Sequence, residues 1–259
     1  MARRTVRRSQ DRRDAILAEM AGGRADVDRL AARFGVSAST IRRDLQDLSE
    51  RSAVMRTYGG AVLAPPQAGV AEDSLQARRQ LNGDAKAAIA ATALALLRDG
   101  DRLILDGGST VEAFGQGLRH RRHMVVTSNL PLIPVLAAAP EIEVLLLGGT
   151  VRPISMATTG PLAEQGLRRI TADRCFLGAD GVVAGRGLCE ATLEQVALKA
   201  LMAAQATELF VLADASKLGR ASQPFWTTLD RPWTLITDAG ADPAQCALFE
   251  RSGATVIRA

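Results

Sequence analysis

The sequence is poor in the side chains that metal sites, disulfide frameworks and nucleophilic triads use. It contains three cysteines and two histidines among 259 residues. Cys175, Cys189 and Cys246 lie far apart and outside any metal-ligand spacing, which predicts ordinary core thiols. His120 and His123 stand among arginines ahead of a predicted strand, where we expect a solvated surface loop. The sequence therefore offers almost no residues from which a metal centre or a Ser-His-Asp site could be built.

Signals for a membrane, for export and for nucleotide cofactors are also missing. No run of about 18 apolar residues occurs, and the arginine-rich stretch Met1–Asp14 is not followed by the apolar core of a signal peptide. Gly107 and Gly108 lack the third glycine of a dinucleotide-binding turn, and there is no Walker A sequence. We therefore predict a cytoplasmic protein with no cofactor and no membrane partner.

The chain does have enough apolar sequence for two folded units, and its charge is unevenly spread. Apolar residues make up 47% of the sequence, and 259 residues exceed the roughly 100 to 150 of a usual domain. Residues 1–60 hold 13 arginines against 8 acidic residues, whereas the rest carries 19 basic and 20 acidic residues. This asymmetry suggests a polyanionic partner for the first unit alone. A solvated arginine-rich surface would give the same charge, so residue patterns must decide.

The first sixty residues show the spacing of three short helices. A first predicted helix follows Ser9, and a second runs from an Asp26 cap to Gly35, where a left-handed C-terminal cap is expected. Ser37 is the predicted cap of the third helix. Its apolar stripe consists of Ile41, Leu45 and Leu48.

The opposite face of the third helix is polar, and a β-strand that turns back on itself follows it. Hydroxyl, amide and guanidinium groups on such a helix can reach phosphates and base edges in a major groove. This pattern predicts a winged helix-turn-helix, with a three-helix unit that binds protein as the alternative. The residues predicted to contact DNA are Ser37, Ser39, Thr40, Arg42, Arg43 and Gln46 on the helix, and Arg56 and Tyr58 in the wing.

Two motifs in this region closely resemble the DeoR family of bacterial transcription regulators. They are Thr40-Ile41-Arg42-Arg43-Asp44-Leu45 in the third helix and Arg56-Thr57-Tyr58-Gly59-Gly60-Ala61 in the wing. The family usually has His where this chain has Tyr58. The resemblance implies operator DNA as a partner and a repressor as the most common role.

Helical and strand-like segments alternate from residue 85 to the end of the chain. The predicted strands lie at 102–105, 124–126, 142–147, 174–178, 209–213, 234–237 and 255–257. This alternation predicts an α/β fold with a doubly wound, largely parallel sheet, which binds ligands beyond the carboxyl ends of its strands. Small and polar residues follow those ends, and the Gly107-Gly108 turn into a helix favours a phosphate group.

The same positions are similar to the sensor domain of the DeoR family, whose fold resembles sugar-phosphate isomerases. The resemblance implies a phosphorylated sugar or a related metabolite as effector. The residues predicted to bind it are Asp106, Gly107, Gly108, Ser109, Thr110, Thr127, Asn129, Gly148, Gly149, Asp180 and Lys217.

An isomerase attached to a DNA-binding domain is the main alternative. Ribose-5-phosphate isomerases carry an Asp-Gly-Ala-Asp-Glu run, but Leu177–Gly181 lacks both the first Asp and the Glu, and the lysine that should follow is missing. Glu194 is the remaining carboxylate that could act as a base. An architectural DNA-binding protein without effector is a third possibility, against which the glycine-rich strand ends argue.

The predicted organisation is thus a winged helix-turn-helix domain at residues 1–62, a linker at 63–74 and an α/β sensor domain at 75–259. The predicted function is a transcription regulator, most often a repressor, of carbohydrate metabolism that is controlled by a phosphorylated sugar and is not an enzyme. Because a palindromic operator needs two DNA-binding domains, we expect a homo-oligomer, either a dimer or a tetramer.

Overall fold

The computed structural model describes residues 12, 15–16, 25–50, 54–57, 60–63 and 72–259. The chain divides into two compact units, Met1–Gly69 and Val70–Ala259. Of the predicted first helix only Arg12, Ala15 and Ile16 are described, and all three are helical. Tyr58 lies outside the described residues.

The first unit is a helix-turn-helix with a small antiparallel sheet, which confirms the predicted winged helix. Its elements are β1 (Ala25–Asp26), α1 (Val27–Phe34), α2 (Ala38–Glu50), β2 (Val54–Thr57) and β3 (Gly60–Leu63). The three strands pair in the order β1-β3-β2.

Local sequence explains where these helices begin and end. The Asp26 carboxylate caps α1 by accepting a hydrogen bond of 2.9 Å from the Asp28 amide. Gly35 ends α1 with a φ of 62°, a left-handed conformation that glycine adopts without a Cβ clash. The Ser37 hydroxyl accepts from the Thr40 amide at 3.2 Å, as expected for the cap of α2. The core of the unit consists of Ile16, Val27, Leu30, Ile41 and Leu45.

The second unit is a parallel α/β domain. Its helices are α3 (Leu75–Gln80), α4 (Gly83–Ala95), α5 (Ser109–Gln116), α6 (Ile133–Ala137), α7 (Pro161–Leu167), α8 (Leu193–Ala204) and α9 (Pro243–Arg251). Its strands are β4 (Arg102–Leu105), β5 (His123–Thr127), β6 (Ile142–Leu146), β7 (Thr150–Arg152), β8 (Ala157–Thr159), β9 (Ala172–Leu177), β10 (Gly181–Val183), β11 (Gly187–Glu190), β12 (Ala206–Leu212), β13 (Phe225–Thr227), β14 (Trp233–Thr237) and β15 (Ala254–Arg258). No helix in the described part of the chain is long and apolar enough to cross a membrane.

Seven strands form one all-parallel sheet in the order β15-β14-β12-β9-β4-β5-β6, which confirms the doubly wound prediction. Both faces are buried, because neighbouring residues of one strand join different cores. Leu103 and Leu105 pack in a core with α4, α5 and α6, whereas Ile104 packs in a core with α7, α8 and α9. From β4 the chain builds outward in one direction and then, from β9, in the other. The carboxyl ends of β4 and β9 therefore flank the topological switch point, where such sheets leave a crevice.

Several short elements of this unit were not predicted from the sequence. They are the β7–β8 hairpin, the small antiparallel sheet β10-β11-β13, and the helices α3 and α7. The strands of the hairpin have three residues each, too few to show an alternating pattern.

One prediction about a single side chain was wrong, and another is confirmed. His123 is not solvated, since it is the first residue of β5 and only 4% exposed, with Nδ1 lying 3.1 Å from the Asp101 carbonyl oxygen. The three cysteines are buried free thiols, as predicted.

Candidate nucleic-acid interface and ligand site

The outer face of α2 presents two exposed arginines. Arg42 and Arg43 follow the fully buried Ile41, so the helix turns the pair toward solvent while Ile41 and Leu45 pack in the core with residues of α1. No ion pair engages either arginine among the described residues. Ser37, at the start of the helix, has its hydroxyl 2.8 Å from that of Ser39 and 2.9 Å from that of Thr40. Gln46 lies further along α2 and Arg56 in β2.

A partly buried ion pair holds the helix that carries these arginines. The Asp44 carboxylate accepts from the Arg12 guanidinium at 2.6 and 3.2 Å, and Asp44 is 4% exposed. Asp44 thus pairs with Arg12 instead of facing solvent. Its negative charge is thereby neutralised on the helix that would approach DNA phosphates.

The second unit has a cleft at the switch point between β4 and β9. Counting its opening to solvent, the cleft encloses about 920 Å³. Seven of the predicted effector residues line it: Asp106, Gly107, Gly108, Ser109, Thr110, Asp180 and Lys217. These residues come from three strand ends that are far apart in sequence.

Glycines allow the two central strand ends to come together and leave backbone amides open. Gly108 has a φ of 107° and precedes α5 without a side-chain cap, so the first amides of this helix have no capping acceptor from it. A Cβ on Gly107 would lie 3.1 Å from the Ala157 Cβ, and one on Gly178 would lie 3.1 Å from the Gly107 carbonyl oxygen. Together with the hydroxyls of Ser109 and Thr110, the open helix start is a typical anion site.

The segment after β12 contributes two cations to the cleft. Lys217 is half-buried, and burial lowers the pKa of its ammonium group, although Asp180 acts in the opposite direction. Arg220 lines the same cleft. No ion pair engages Lys217 or Arg220 within the part of the chain that the structure describes. Both positive charges are therefore available to a bound anion.

The floor of the cleft is a buried charge cluster around Lys199. Its ammonium group lies 2.7 Å from the Asp106 carboxylate and 2.6 Å from that of Glu190, and it donates to the Gly178 carbonyl oxygen. Burial disfavours the lysine charge, but the two carboxylates outweigh it and raise the Lys199 pKa. Burial raises the pKa of the Glu190 carboxyl to about 8, against the opposing effect of Lys199. Gln195 donates to Glu190 at 3.2 Å.

Four predicted effector residues lie outside the lining of the cleft. Thr127 is fully buried and donates its hydroxyl proton to the Leu105 carbonyl oxygen at 2.8 Å, so it joins β5 to β4. The side-chain Nδ2 of Asn129 donates to the backbone carbonyl oxygen of Asp106 at 3.4 Å. Gly149 has a φ of 128°, and a Cβ there would lie 2.4 Å from the Thr159 carbonyl oxygen, so it allows the β7–β8 hairpin to close. Gly148 precedes it in the same turn.

Other lining residues were not predicted as ligand contacts. The charged ones among them include Arg78, Lys86, Glu190, Lys199 and Arg220. Most of them lie within helices or at the end of a short strand, where no local motif marks a binding residue. Glu194, the candidate base of the isomerase alternative, is exposed on α8 and is not part of the lining. No group of three His, Cys, Asp or Glu residues in the described ranges is arranged to hold a metal ion.

The two units together define the class of protein. A helix that carries an exposed arginine pair serves DNA recognition, and a polar cleft at a switch point serves a small ligand. The combination is that of a ligand-responsive transcription regulator.

Comparison with known families identifies the particular one. Residues 12–67 match the model of the DeoR-like helix-turn-helix domain, and residues 81–239 match that of the DeoR C-terminal sensor domain. The chain belongs to the DeoR family of transcription regulators.

Two relatives that are named as transcriptional repressors align with almost the whole chain. The putative aga operon transcriptional repressor of Escherichia coli O157:H7 is 30% identical over 96% of this chain and 93% of its own length. The HTH-type transcriptional repressor GlcR of Bacillus subtilis (strain 168) is 32% identical over 90% of each chain. Ribose 5-phosphate isomerase A from Methanocaldococcus jannaschii superposes on 52% of this chain and 54% of its own with a TM-score of 0.38 and 21% identity. That last likeness is too low to inform function.

Proposed function

We propose that this protein is a repressor of genes of carbohydrate metabolism, that it binds operator DNA through α2 and the wing, and that a phosphorylated sugar in the switch-point cleft controls it. One observation supports a phosphorylated ligand above the others. The uncapped helix start at Gly108 and the two cations without ion pairs, Lys217 and Arg220, line the same cleft. A phosphate monoester carries a charge of about −1.5 to −2 at pH 7, which these two cations match.

The polar floor of the cleft supports a sugar as the remainder of the ligand. Asp106, Glu190, Gln195 and Lys199 supply both donors and acceptors there, as hydroxyl groups require. Since the Lys199 ammonium group already lies within 2.7 Å of the Asp106 carboxylate and 2.6 Å of the Glu190 carboxyl group, the floor offers little to a second phosphate group. The charge therefore favours a ligand with one phosphate at the loop and hydroxyls at the floor.

The names of the relatives support repression, since two of them are transcriptional repressors. We place the activity in the cytoplasm, with the protein acting as a homo-oligomer on a palindromic operator. The boundaries 1–62, 63–74 and 75–259 stay a prediction, as do the individual DNA contacts. The proposed role is binding without turnover.

Calorimetry with the full chain tests the ligand. A panel of hexose and pentose phosphates is titrated beside the corresponding free sugars, and we expect the phosphorylated form that binds best to exceed its free sugar by at least tenfold. Lys217→Ala should narrow that gap about tenfold, since a hydrogen bond to a charged group contributes about 1.5–3 kcal/mol. Arg119→Ala, on an exposed arginine away from the cleft, is the matched control. Equal affinity for free and phosphorylated sugars would refute the proposal.

A further inference from the structure

Arg78 is a cation of the cleft whose buried hydrogen-bond donors lack partners. Its side chain is 13% exposed, yet the buried Nε and Nη2 atoms have no hydrogen-bond partner. The nearest carboxylate oxygens belong to Glu72, 3.6 Å from Nη2, and to Asp180, 3.7 Å from Nη1. Both distances exceed those of a hydrogen bond. The guanidinium therefore interacts with these carboxylates electrostatically, without hydrogen bonds. Its Nε and Nη2 donors remain available to a ligand.

The position of Arg78 is set by the helix that carries it. A Cβ placed on Gly108 would lie 3.9 Å from Nη1, so the guanidinium lies beside the Gly107–Gly108 loop that precedes α5. The neighbouring Arg79 forms a two-point ion pair with Glu112 of α5, at 2.9 and 2.6 Å. Lys86 donates to the carbonyl oxygens of Arg78 and Leu81, where α3 ends. These contacts fix α3 against the helix whose start forms the loop.

Glu72 connects this arginine to the segment that enters the second unit. The residue lies two positions after Val70, where that unit begins. Its carboxylate is 5% exposed and accepts two hydrogen bonds from Arg152 of β7. Nearby, the Leu75 amide donates to the Ile154 carbonyl oxygen at 2.8 Å. Glu72 and Leu75 thus attach the entering segment to the β7–β8 hairpin, and residues Ser155, Ala157 and Thr158 at that hairpin line the cleft.

We infer that Arg78 binds the anionic group of the effector and that the anion draws it away from Glu72, so that ligand binding loosens the segment leading from the DNA-binding unit. A guanidinium forms short, paired hydrogen bonds with a phosphate, and these are stronger than an ion pair without hydrogen bonds. The ligand-free state, in which Glu72 shares Arg78, and the bound state therefore differ in free energy at this segment. Such a difference is what coupling between two sites requires. The inference rests on the proposed function, namely that the cleft takes a phosphate group.

Binding of inorganic phosphate to the full chain tests the role of Arg78. Arg78→Ala should weaken binding about tenfold or more, and Arg78→Lys should recover part of the loss, because it keeps the charge but not the paired donors. Glu72→Gln should tighten binding about threefold, since the arginine no longer has to leave a carboxylate. Asp73→Asn is the matched control, because it removes the same charge from an exposed position at the edge of the cleft. The control should change binding less than Glu72→Gln.

Hydrogen exchange of the same samples tests the loosening. Phosphate should speed exchange at the Leu75 amide in the parent chain, whereas in Glu72→Gln exchange there should already be fast without phosphate. If Arg78→Ala fails to fold, the comparison of Glu72→Gln with Asp73→Asn decides alone.

The outcomes separate this inference from the function on which it rests. If phosphate binds and depends on Lys217 but not on Arg78, or if Glu72→Gln and Asp73→Asn behave alike, the inference is wrong and the proposed site stands. If exchange at Leu75 is unchanged by bound phosphate, Arg78 binds the anion without coupling, which overturns the second half of the inference. If neither phosphate nor any sugar phosphate binds the parent chain, the proposed function fails together with the inference.

Discussion

In the DNA-binding unit the arginines proposed to contact DNA, Arg42 and Arg43, are exposed on one helix, whereas in the sensor unit the proposed effector residues line a cleft built from three strand ends. Arg42 and Arg43 need only the local turn of α2 to be displayed together. Asp106, Asp180 and Lys217 are each separated by more than thirty residues of chain and meet only because the parallel sheet aligns their strands. The difference shows that an exposed helical face is a property of a short segment, whereas a cleft is a property of the whole domain.

The sensor unit has larger hydrophobic cores than the DNA-binding unit. A substitution in one of them gives the largest predicted effect, which is on stability. Phe176 is fully buried between Phe114 and Phe210, with ring centroids 4.3 and 4.9 Å apart. Phe176→Ala should reduce the free energy of unfolding of the sensor unit by about 3–5 kcal/mol. Urea denaturation followed by hydrogen exchange of each unit measures this. The DNA-binding unit should keep its own midpoint, because its core consists of other residues.

Phe225→Ala is the control for this experiment, since Phe225 is only half-buried in the small antiparallel sheet. It should cost less than Phe176→Ala. A joint loss of stability in both units would show that they unfold as one cooperative body, and the comparison between them would then lose its basis.

The exposed arginines of α2 should give the next largest effect, on DNA and not on stability. Arg42→Ala and Arg43→Ala should each weaken binding to a duplex that the full chain has selected from a random-sequence library. A base-reading arginine should cost about 1–3 kcal/mol and relax specificity, while a phosphate-contacting one should reduce the salt slope by about 1. Gel-shift titrations at several salt concentrations distinguish the two roles.

Arg119→Ala again serves as the matched loss of one exposed guanidinium, here in the sensor unit. It should bind the selected duplex like the parent chain. If Arg42→Ala and Arg43→Ala also bound like the parent, α2 would not be the recognition helix.

The last prediction is a pH dependence of the stability that belongs to the enclosed site. The Glu190 carboxyl has an ordinary pKa of 4.5 when unfolded and about 8 in its buried position. Between these values the folded chain keeps a proton that the unfolded chain has released, so stability falls as the pH rises through this window. Glu190→Gln should remove that decline and raise Tm at pH 8 by about 2–4 °C for each 1 kcal/mol regained. Asp106 remains to pair with Lys199.

The exposed Glu194 on α8 supplies the control, because Glu194→Gln changes the same chemical group outside the cleft. Calorimetric scans from pH 5 to pH 8 should show the decline unchanged in this variant. The same slope in Glu190→Gln as in the parent chain would mean that Glu190 is ionised in the folded state.

The sequence predicted those elements that belong to a long repeating pattern of strands and helices, and it missed the short elements outside that pattern. The seven strands of the main sheet were each predicted within three residues, because apolar strands alternate with helices over the whole domain. The β7–β8 hairpin and the β10-β11-β13 sheet were missed, since β11 pairs with β13 across more than thirty residues of chain. His123 was misplaced because its arginine neighbours suggested solvent, whereas its position at the start of a central strand buries it.

By itself the sequence determined the caps and apolar stripe of the DNA-binding helices, the alternation of the α/β sheet and the glycine loop before α5. These features depend on residues a few positions apart, and backbone geometry relates such residues directly. Only the tertiary structure decided which strand-end residues share the cleft, that Lys199 joins Asp106 to Glu190, and that Arg78 lies between Glu72 and Asp180. Those contacts join segments far apart in the chain, and their geometry follows from strand order and packing, which no local pattern records.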